Sequence, residues 1–116
     1  MEEKHISVIS EECQELIRAM SDTQEMISGK WKLVIIGTLI RNGPLQFLEL
    51  KRALVSVASK KLTKDLQELE MNKLVTRKVK DTKPISVEYS LTEQGKSLEP
   101  IIENLVEWGQ QYRKTL

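Results

Sequence analysis

The amino-acid sequence predicts a mainly α-helical domain that carries one small β-hairpin. Apolar residues recur at helical spacing over most of the chain, and the spacing changes to strict alternation between residues 75 and 91. The length of 116 residues suits one hydrophobic core. We therefore expect a single domain over residues 1–116, with no second, catalytic domain.

Composition argues against several classes of protein. No apolar run approaches the roughly 18 residues of a membrane span, and the acidic segment Met1 to Lys4 is unlike a secretory signal. A cytoplasmic location without membrane contact is expected. The single cysteine, Cys13, and the single histidine, His5, are too few for an internal disulfide or a Cys/His metal site. We expect no metal and no cofactor.

Helices are predicted for the first half of the chain. Apolar residues from Val8 to Met20 indicate one amphipathic helix. Ser28 is the predicted N-cap of the next helix, Trp31 to Ile40. That segment is apolar on almost every side, so it should be buried all round, with Gly37 at a point of close packing.

A short helix and a longer, basic helix come next. The segment Asn42 to Pro44 predicts a stop, and a short helix follows from Phe47 to Val55. In the longer helix Leu62, Leu66 and Leu69 form one inward stripe. At about 100° per residue, Lys60, Lys64 and Gln67 lie on the opposite face, and Lys61 and Thr63 flank them.

The last third of the chain predicts a hairpin and a final helix. Alternating apolar residues in Val75 to Val79 and in Val87 to Leu91 indicate two strands joined by a basic turn. Thr92 is the predicted N-cap of the last helix. The apolar arc of this helix is wider than one core contact needs, so we expect it to serve a second subunit as well.

The net charge of +1 conceals an uneven distribution. Residues 51–83 hold ten basic and four acidic side chains, a charge of +6, whereas the remainder holds 8 basic and 13 acidic ones, a charge of −5. Such a positive third predicts a polyanion footprint, the alternative being a solvated basic face. The order of helix, short helix, basic helix and basic hairpin is that of a winged helix-turn-helix, whose second helix enters the DNA major groove.

These patterns assign candidate residues to three surfaces. The recognition helix would contact DNA through Ser59, Lys60, Lys61, Thr63, Lys64 and Gln67. The wing would meet phosphates through Arg77, Lys78, Lys80 and Lys83. A homodimer interface would use Leu16, Ile17, Leu98, Ile102, Leu105, Trp108 and Tyr112. The chain is thus divided into a dimerisation region (1–27), a winged-helix core (28–95) and a C-terminal dimerisation helix (96–116).

Short motifs follow one another in a fixed order along the chain. They are Gly29-Lys30-Trp31, Phe47-x-Glu49-Leu50, Leu62-Thr63-x-x-Leu66-x-x-Leu69-Glu70, Leu74-Val75-x-Arg77, Pro84-x-x-Val87-Glu88-Tyr89-Ser90-Leu91-Thr92-x-x-Gly95 and Trp108-Gly109. In this order they resemble the HxlR-type family of bacterial winged-helix transcription regulators. The resemblance implies a homodimer that binds operator DNA, with its terminal helices at the dimer interface.

Two departures from the family pattern lie close to the expected DNA surface. Gln46 stands where the pattern has arginine, which removes one charged DNA contact. The segment 56–58 replaces the family's Gly-Ile-Ser, so Ser59 or Ser56 is left to cap the recognition helix.

A third departure concerns the thiol. The family often carries a Cys-Pro pair that senses oxidants or electrophiles, and here Arg18 and Ala19 occupy that place. Cys13 lies five residues earlier, among glutamates that favour the neutral thiol. We predict that Cys13 is a structural or incidental thiol, and the alternative is a redox role if a dimer brings two Cys13 thiols together.

The function predicted from the sequence is sequence-specific, DNA-binding transcription regulation by a homodimer on a pseudo-palindromic operator. Its expected partners are double-stranded DNA and a second copy of the chain, and the sequence names no small-molecule effector. The alternative is a protein-interaction adaptor with the same fold and without DNA binding. An enzyme is the weakest interpretation, because no carboxylate pair, glycine-rich phosphate loop or Ser/His/Asp set is placed to converge.

Overall fold

The computed structural model describes residues 9–116, which leaves the sequence predictions for His5 and Val8 outside the described residues. The elements in chain order are α1 (Glu11–Ile27), α2 (Lys32–Asn42), β1 (Leu45–Gln46), α3 (Phe47–Ala53), α4 (Ser59–Met71), β2 (Val75–Lys80), β3 (Ser86–Leu91), α5 (Glu93–Lys96) and α6 (Glu99–Arg113). The strands form one antiparallel sheet in the order β1, β3, β2. The mainly helical fold and the hairpin are confirmed, and the short strand β1 is an addition that the sequence pattern did not indicate.

The hydrophobic core lies between the central helices and the sheet. Its buried side chains are Ile35, Ile36, Leu39, Leu50, Leu54, Val57, Leu62, Leu66, Leu69, Leu74, Val75, Tyr89 and Ile102. The predicted inward stripe of α4 is confirmed, because its three leucines are all buried. Burying one such side chain contributes about 1.5 to 3 kcal/mol. The stripe therefore fixes which face of α4 is turned to solvent.

The first helix differs in extent from its prediction. The sequence predicts a helix from Val8 to Met20, but α1 continues to Ile27. Residues 21–25 are all polar, so they do not extend the helical spacing of apolar residues that predicts the helix. They include no proline or glycine, however, that would end a helix. No residue of α1 is buried, and Met26 and Ile27 in its last turn pack against the core. Most of α1 therefore projects from the domain.

The start of α2 also differs from its prediction. Ser28 does not cap this helix but lies at the end of α1, where its hydroxyl donates to the Glu25 carbonyl at 3.2 Å. Gly29 then turns the chain with a φ of 93°. Trp31 occupies the N-cap position of α2 without a side-chain capping bond. The prediction for Ser28 is wrong because α1 is longer than its apolar pattern and ends at this serine.

Helix α2 is not buried all round, contrary to the prediction. Ile35, Ile36 and Leu39 face the core, whereas Val34 keeps 45% of its surface exposed. The helix ends as predicted at the segment after Leu39, where Gly43 adopts a φ of 76° and donates its N–H to the Leu39 carbonyl at 2.9 Å. One side of this apolar helix is consequently open in the single chain.

Thr92 caps a helix as predicted, but that helix is the short α5. Its Oγ1 accepts a hydrogen bond from the Gly95 N–H at 3.0 Å and donates to the Lys73 carbonyl at 2.7 Å. Pro100 lies in the first turn of α6. Since proline has no N–H to donate to the carbonyl of Lys96 and its ring crowds that carbonyl, a regular helix is interrupted at this point. The predicted last helix is therefore divided into α5 and α6.

We predict that Gly95→Ala destabilises the protein and that Gly37→Ala does not. A Cβ at position 95 would lie 2.2 Å from the Leu74 carbonyl oxygen, so the backbone must move, at a cost of about 1 to 3 kcal/mol or more. A Cβ at position 37 would lie 3.6 Å from Ile102 Cγ2, which is ordinary contact. Gly37→Ala should be neutral or more stable by up to about 1 kcal/mol. Urea unfolding at matched protein concentration measures both, and equal stability of the two variants would contradict the packing described.

Candidate nucleic-acid interface

Helix α3 begins with a capping box built on Gln46. The Gln46 N–H donates to Glu49 Oε1 at 2.8 Å, and the Gln46 side chain accepts from the backbone in return. The residue that departs from the family pattern thus has a structural role at the start of the first helix of the helix-turn-helix pair.

Helix α4 begins without a side-chain cap. Ala58 occupies its N-cap position, and Ser59 is the first helical residue. The expectation that Ser59 or Ser56 caps this helix is therefore wrong, since no side chain of residues 9–116 makes the capping bond. The N–H groups of the first turn are left without a side-chain acceptor.

The outward face of α4 carries most of the predicted recognition residues. Lys60, Lys64 and Gln67 are exposed on the side opposite the leucine stripe. Thr63 is exposed beside them, and its Oγ1 donates to the Ser59 carbonyl at 2.9 Å. The first three turns of α4 therefore present two lysines, an amide and a hydroxyl along one face.

Lys61 is held in a different way from its neighbours. Its Nζ lies 3.0 Å from Oδ1 of Asp65, one turn further along α4, and the Asp65 side chain is only 1% exposed. Lys61 itself is 44% exposed. The ammonium is thus drawn towards the inner flank of the helix, away from Lys60 and Lys64.

A second ion pair joins α2 to α4. Lys32 has a 7% exposed side chain, and its Nζ lies 2.5 Å from Oε1 of Glu68. This hydrogen bond, together with the charges of Lys64 and Lys61, holds the pKa of Glu68 below its ordinary value. The apolar pattern did not indicate this pair, although Lys32 is the single lysine inside the apolar run from Trp31 to Ile40 and is a signal for a buried ion pair.

The wing is the hairpin of β2 and β3. Arg77, Lys78 and Lys83 are exposed on it. Lys80 is half-buried, with its Nζ 3.1 Å from Oε2 of Glu88 on the neighbouring strand. Three of the four predicted wing cations are therefore exposed to solvent, and the fourth is paired within the hairpin.

A notch of about 400 Å³ lies between α4 and the sheet. Its lining includes Thr63 and Gln67 from α4 and Arg77 from β2. Glu70 and the side chains of Phe47, Val87 and Tyr89 also line this notch, so α4 and the wing adjoin there across a mixed polar and apolar surface.

The predicted dimer residues fall into two groups. Leu16 and Ile17 on α1 and Leu105, Trp108 and Tyr112 on α6 are exposed large apolar side chains. Leu98 and Ile102 instead face the core of their own chain, with Ile102 only 8% exposed. On α6 the exposed members join Ile101 in a stripe at i, i+4, i+7 and i+11, and the rings of Trp108 and Tyr112 stack with centroids 5.2 Å apart.

Cys13 lies in the first turn of α1 and is half-buried. Its backbone N–H donates to Ser10 Oγ at 3.1 Å, so the serine caps this helix. The expectation that Cys13 is a structural or incidental thiol stays a prediction.

Within residues 9–116, no group of three or more His, Cys, Asp or Glu side chains is arranged to hold a metal ion. The same residues include no helix with the length and apolar character required to span a bilayer.

A short helix, a turn, a second helix with outward lysines and an adjoining basic hairpin define a winged helix-turn-helix. The HxlR-like helix-turn-helix family matches residues 26–116, and the chain belongs to this family. Its members are transcriptional regulators rather than enzymes.

Curated relatives and solved structures agree with this assignment. An HTH-type transcriptional regulator of Halalkalibacterium halodurans is 47% identical over 87 residues, which are 75% of this chain and 77% of the relative. The HTH-type transcriptional regulator YkvN of Bacillus subtilis is 46% identical over 90 residues, 78% of this chain and 75% of YkvN. The redox regulator HypR in its reduced form is 39% identical, with a TM-score of 0.78 over 84% of this chain and 95% of HypR.

We predict that Glu68→Gln removes a pH-dependent part of the stability. Because the folded protein lowers the pKa of Glu68, the Lys32 pair stabilises the fold above the ordinary value of 4.5 and loses that effect as the pH falls through the lower, folded value. The stability difference between wild type and Glu68→Gln should therefore be present at pH 7 and shrink in acid. Urea unfolding at a series of pH values checks this, and a difference independent of pH would contradict an ionic role.

Proposed function

We propose that this protein is a sequence-specific, DNA-binding transcription regulator that acts as a homodimer on a pseudo-palindromic operator. The observation that carries the proposal is the outward face of α4, where Lys60, Lys64 and Gln67 stand opposite a fully buried leucine stripe. In this fold class the second helix of the pair enters the major groove by its N-terminal residues.

The chemistry of this face suits base and phosphate recognition. Lysine can donate to O6 and N7 of guanine, and glutamine can pair with N6 and N7 of adenine. The free N–H groups of the uncapped first turn suit a phosphate oxygen, because the helix dipole is positive at that end. Side chains and backbone therefore favour the same polyanion.

The wing supports the proposal through sequence-independent contacts. Arg77, Lys78 and Lys83 are exposed and would bind phosphates beside the groove. Lys80 would contribute less, since Glu88 already neutralises part of its charge. The notch between α4 and the sheet gives Arg77 a position close to Gln67, where the two elements could follow one strand of the duplex.

The homodimer is supported by apolar surface that the single chain leaves uncovered. The stripe of Ile101, Leu105, Trp108 and Tyr112 lies on a different side of α6 from Ile102, which packs into the core. Projecting α1 adds Leu16, Ile17 and Met20, all of them exposed. Contiguous apolar surface of this kind marks interaction sites in soluble proteins. A two-fold dimer would place its two recognition helices about 34 to 36 Å apart on the duplex.

We predict that the double variant Lys60→Ala, Lys64→Ala loses DNA affinity. On a duplex of mixed sequence the slope of log K against log salt should become shallower by about 0.9 for each phosphate that the variant no longer neutralises. On an operator selected from a random library, a lysine that reads guanine should cost about 1 to 3 kcal/mol at one position. Lys114→Ala, which removes an exposed lysine beyond α6, is the matched control and should bind like wild type.

Fluorescence anisotropy over a range of salt concentrations measures these affinities. Unchanged binding by the double variant would contradict the proposed orientation of α4. A wild-type protein that hardly binds duplex DNA would instead favour an adaptor of the same fold.

We predict that Leu105→Asp shifts the dimer towards monomer. The substitution puts a charge into the exposed apolar stripe of α6 without touching the core of its own chain. Asn104→Asp adds the same charge at the neighbouring exposed position and should leave the dimer intact. Light scattering at micromolar concentration measures the mass, and a monomeric wild type would refute the interface.

A further inference from the structure

Asp65 is a buried carboxylate on the inner side of the recognition helix. It lies between Leu62 and Leu69 in the helical repeat, both fully buried, and its own side chain is 1% exposed. Among residues 9–116 neither carboxylate oxygen accepts a well-directed hydrogen bond, and the ion partner is Lys61, at 3.0 Å. A fully buried position between two leucines is ordinarily occupied by an apolar side chain.

A charge in this environment does not favour folding. Removing a carboxylate from water costs free energy that a single pair with a half-exposed lysine repays poorly. Replacing buried ion pairs by neutral residues is often neutral or stabilising in proteins. Stability therefore does not explain why a carboxylate occupies position 65.

The effect of Asp65 on Lys61 offers an explanation. Three lysines occupy the first half of α4, and two of them, Lys60 and Lys64, extend outwards without an ion partner among the described residues. Lys61 has the same four-carbon stem, and without Asp65 its ammonium could extend to a phosphate at the edge of the groove. The carboxylate holds it on the inner flank instead.

We propose that Asp65 is a positioning residue that attenuates the sequence-independent affinity of the recognition helix for DNA by holding Lys61 out of the interface. The inference rests on the proposed function. Each phosphate contact strengthens binding to every sequence, whereas base contacts distinguish one sequence from another. In a genome with very many competing sites, a lower non-specific affinity leaves more of the regulator free to find its operator.

The test uses the full chain and a fluorescein-labelled duplex of mixed sequence. Asp65→Asn should bind more tightly than wild type, and its salt slope should be steeper by about 0.9 per protomer, because Lys61 then neutralises one more phosphate. For the proposed dimer the two changes add to about 1.8, so the advantage should shrink by roughly twelvefold between about 50 and 200 mM salt. Asp65→Asn should also melt at the same temperature as wild type or higher.

Two further variants assign the effect to Lys61. Lys61→Ala should leave the salt slope of wild type unchanged, since this lysine does not contact the DNA. Lys61→Ala leaves Asp65 unpaired and could fold poorly for that reason. In that case the double variant Lys61→Ala, Asp65→Asn is compared with Asp65→Asn instead, since the two differ only in the Lys61 ammonium. That double variant should lose the whole gain of Asp65→Asn.

Three results would overturn the inference. They are an Asp65→Asn slope equal to that of wild type, a gain that survives in the double variant, and a loss of slope in Lys61→Ala as large as in Lys60→Ala. A lower melting temperature for Asp65→Asn would also overturn it, by showing that the carboxylate stabilises the fold. Failure of the wild-type protein to bind duplex DNA would refute the proposed function itself, and is therefore distinguishable from all of these.

Discussion

The burial of one leucine stripe on α4 is the constraint on which the rest of this surface depends. Leu62, Leu66 and Leu69 are each 1% exposed or less, so the helix cannot turn about its axis without exposing them. Rotating even one leucine to solvent would cost about 1.5 to 3 kcal/mol. Core packing therefore sets the direction in which Lys60 and Lys64 point, because the buried apolar face of α4 determines where its polar face lies.

Two ion pairs, each with one buried member, modify the charge pattern of α4. Lys32 of α2 pairs with Glu68 of α4, and Asp65 pairs with Lys61, which lies one turn earlier in the same helix. Both pairs involve one member that is almost completely buried, which limits the positions available to the exposed member. A helix whose sequence contains three lysines and two acidic residues in its first three turns thus presents a simpler charge pattern to a ligand than its composition suggests.

Sequence periodicity predicted the fold well because the fold depends on repeated apolar contacts. The α4 stripe and the β2–β3 hairpin each have several residues in register, so their patterns are strong. Strand β1 is two residues long and has no period to detect. The ion pairs were missed for a different reason: spacing could suggest that Lys61 and Asp65 are neighbours, but only the packing of α4 reveals that Asp65 is buried.

The connection between α1 and α2 has a consequence for the proposed dimer. Only four residues, 28–31, separate the two helices, and Lys32 immediately after them is paired with the recognition helix. The direction in which α1 leaves the domain and the position of α4 are thus set from the same point. In the proposed dimer, this connection and α1 would determine the distance between the two half-sites. Helix α4 would determine which bases are read within each half-site. Regulators of this kind could diverge in operator spacing through one short segment while the residues that read the bases stay the same.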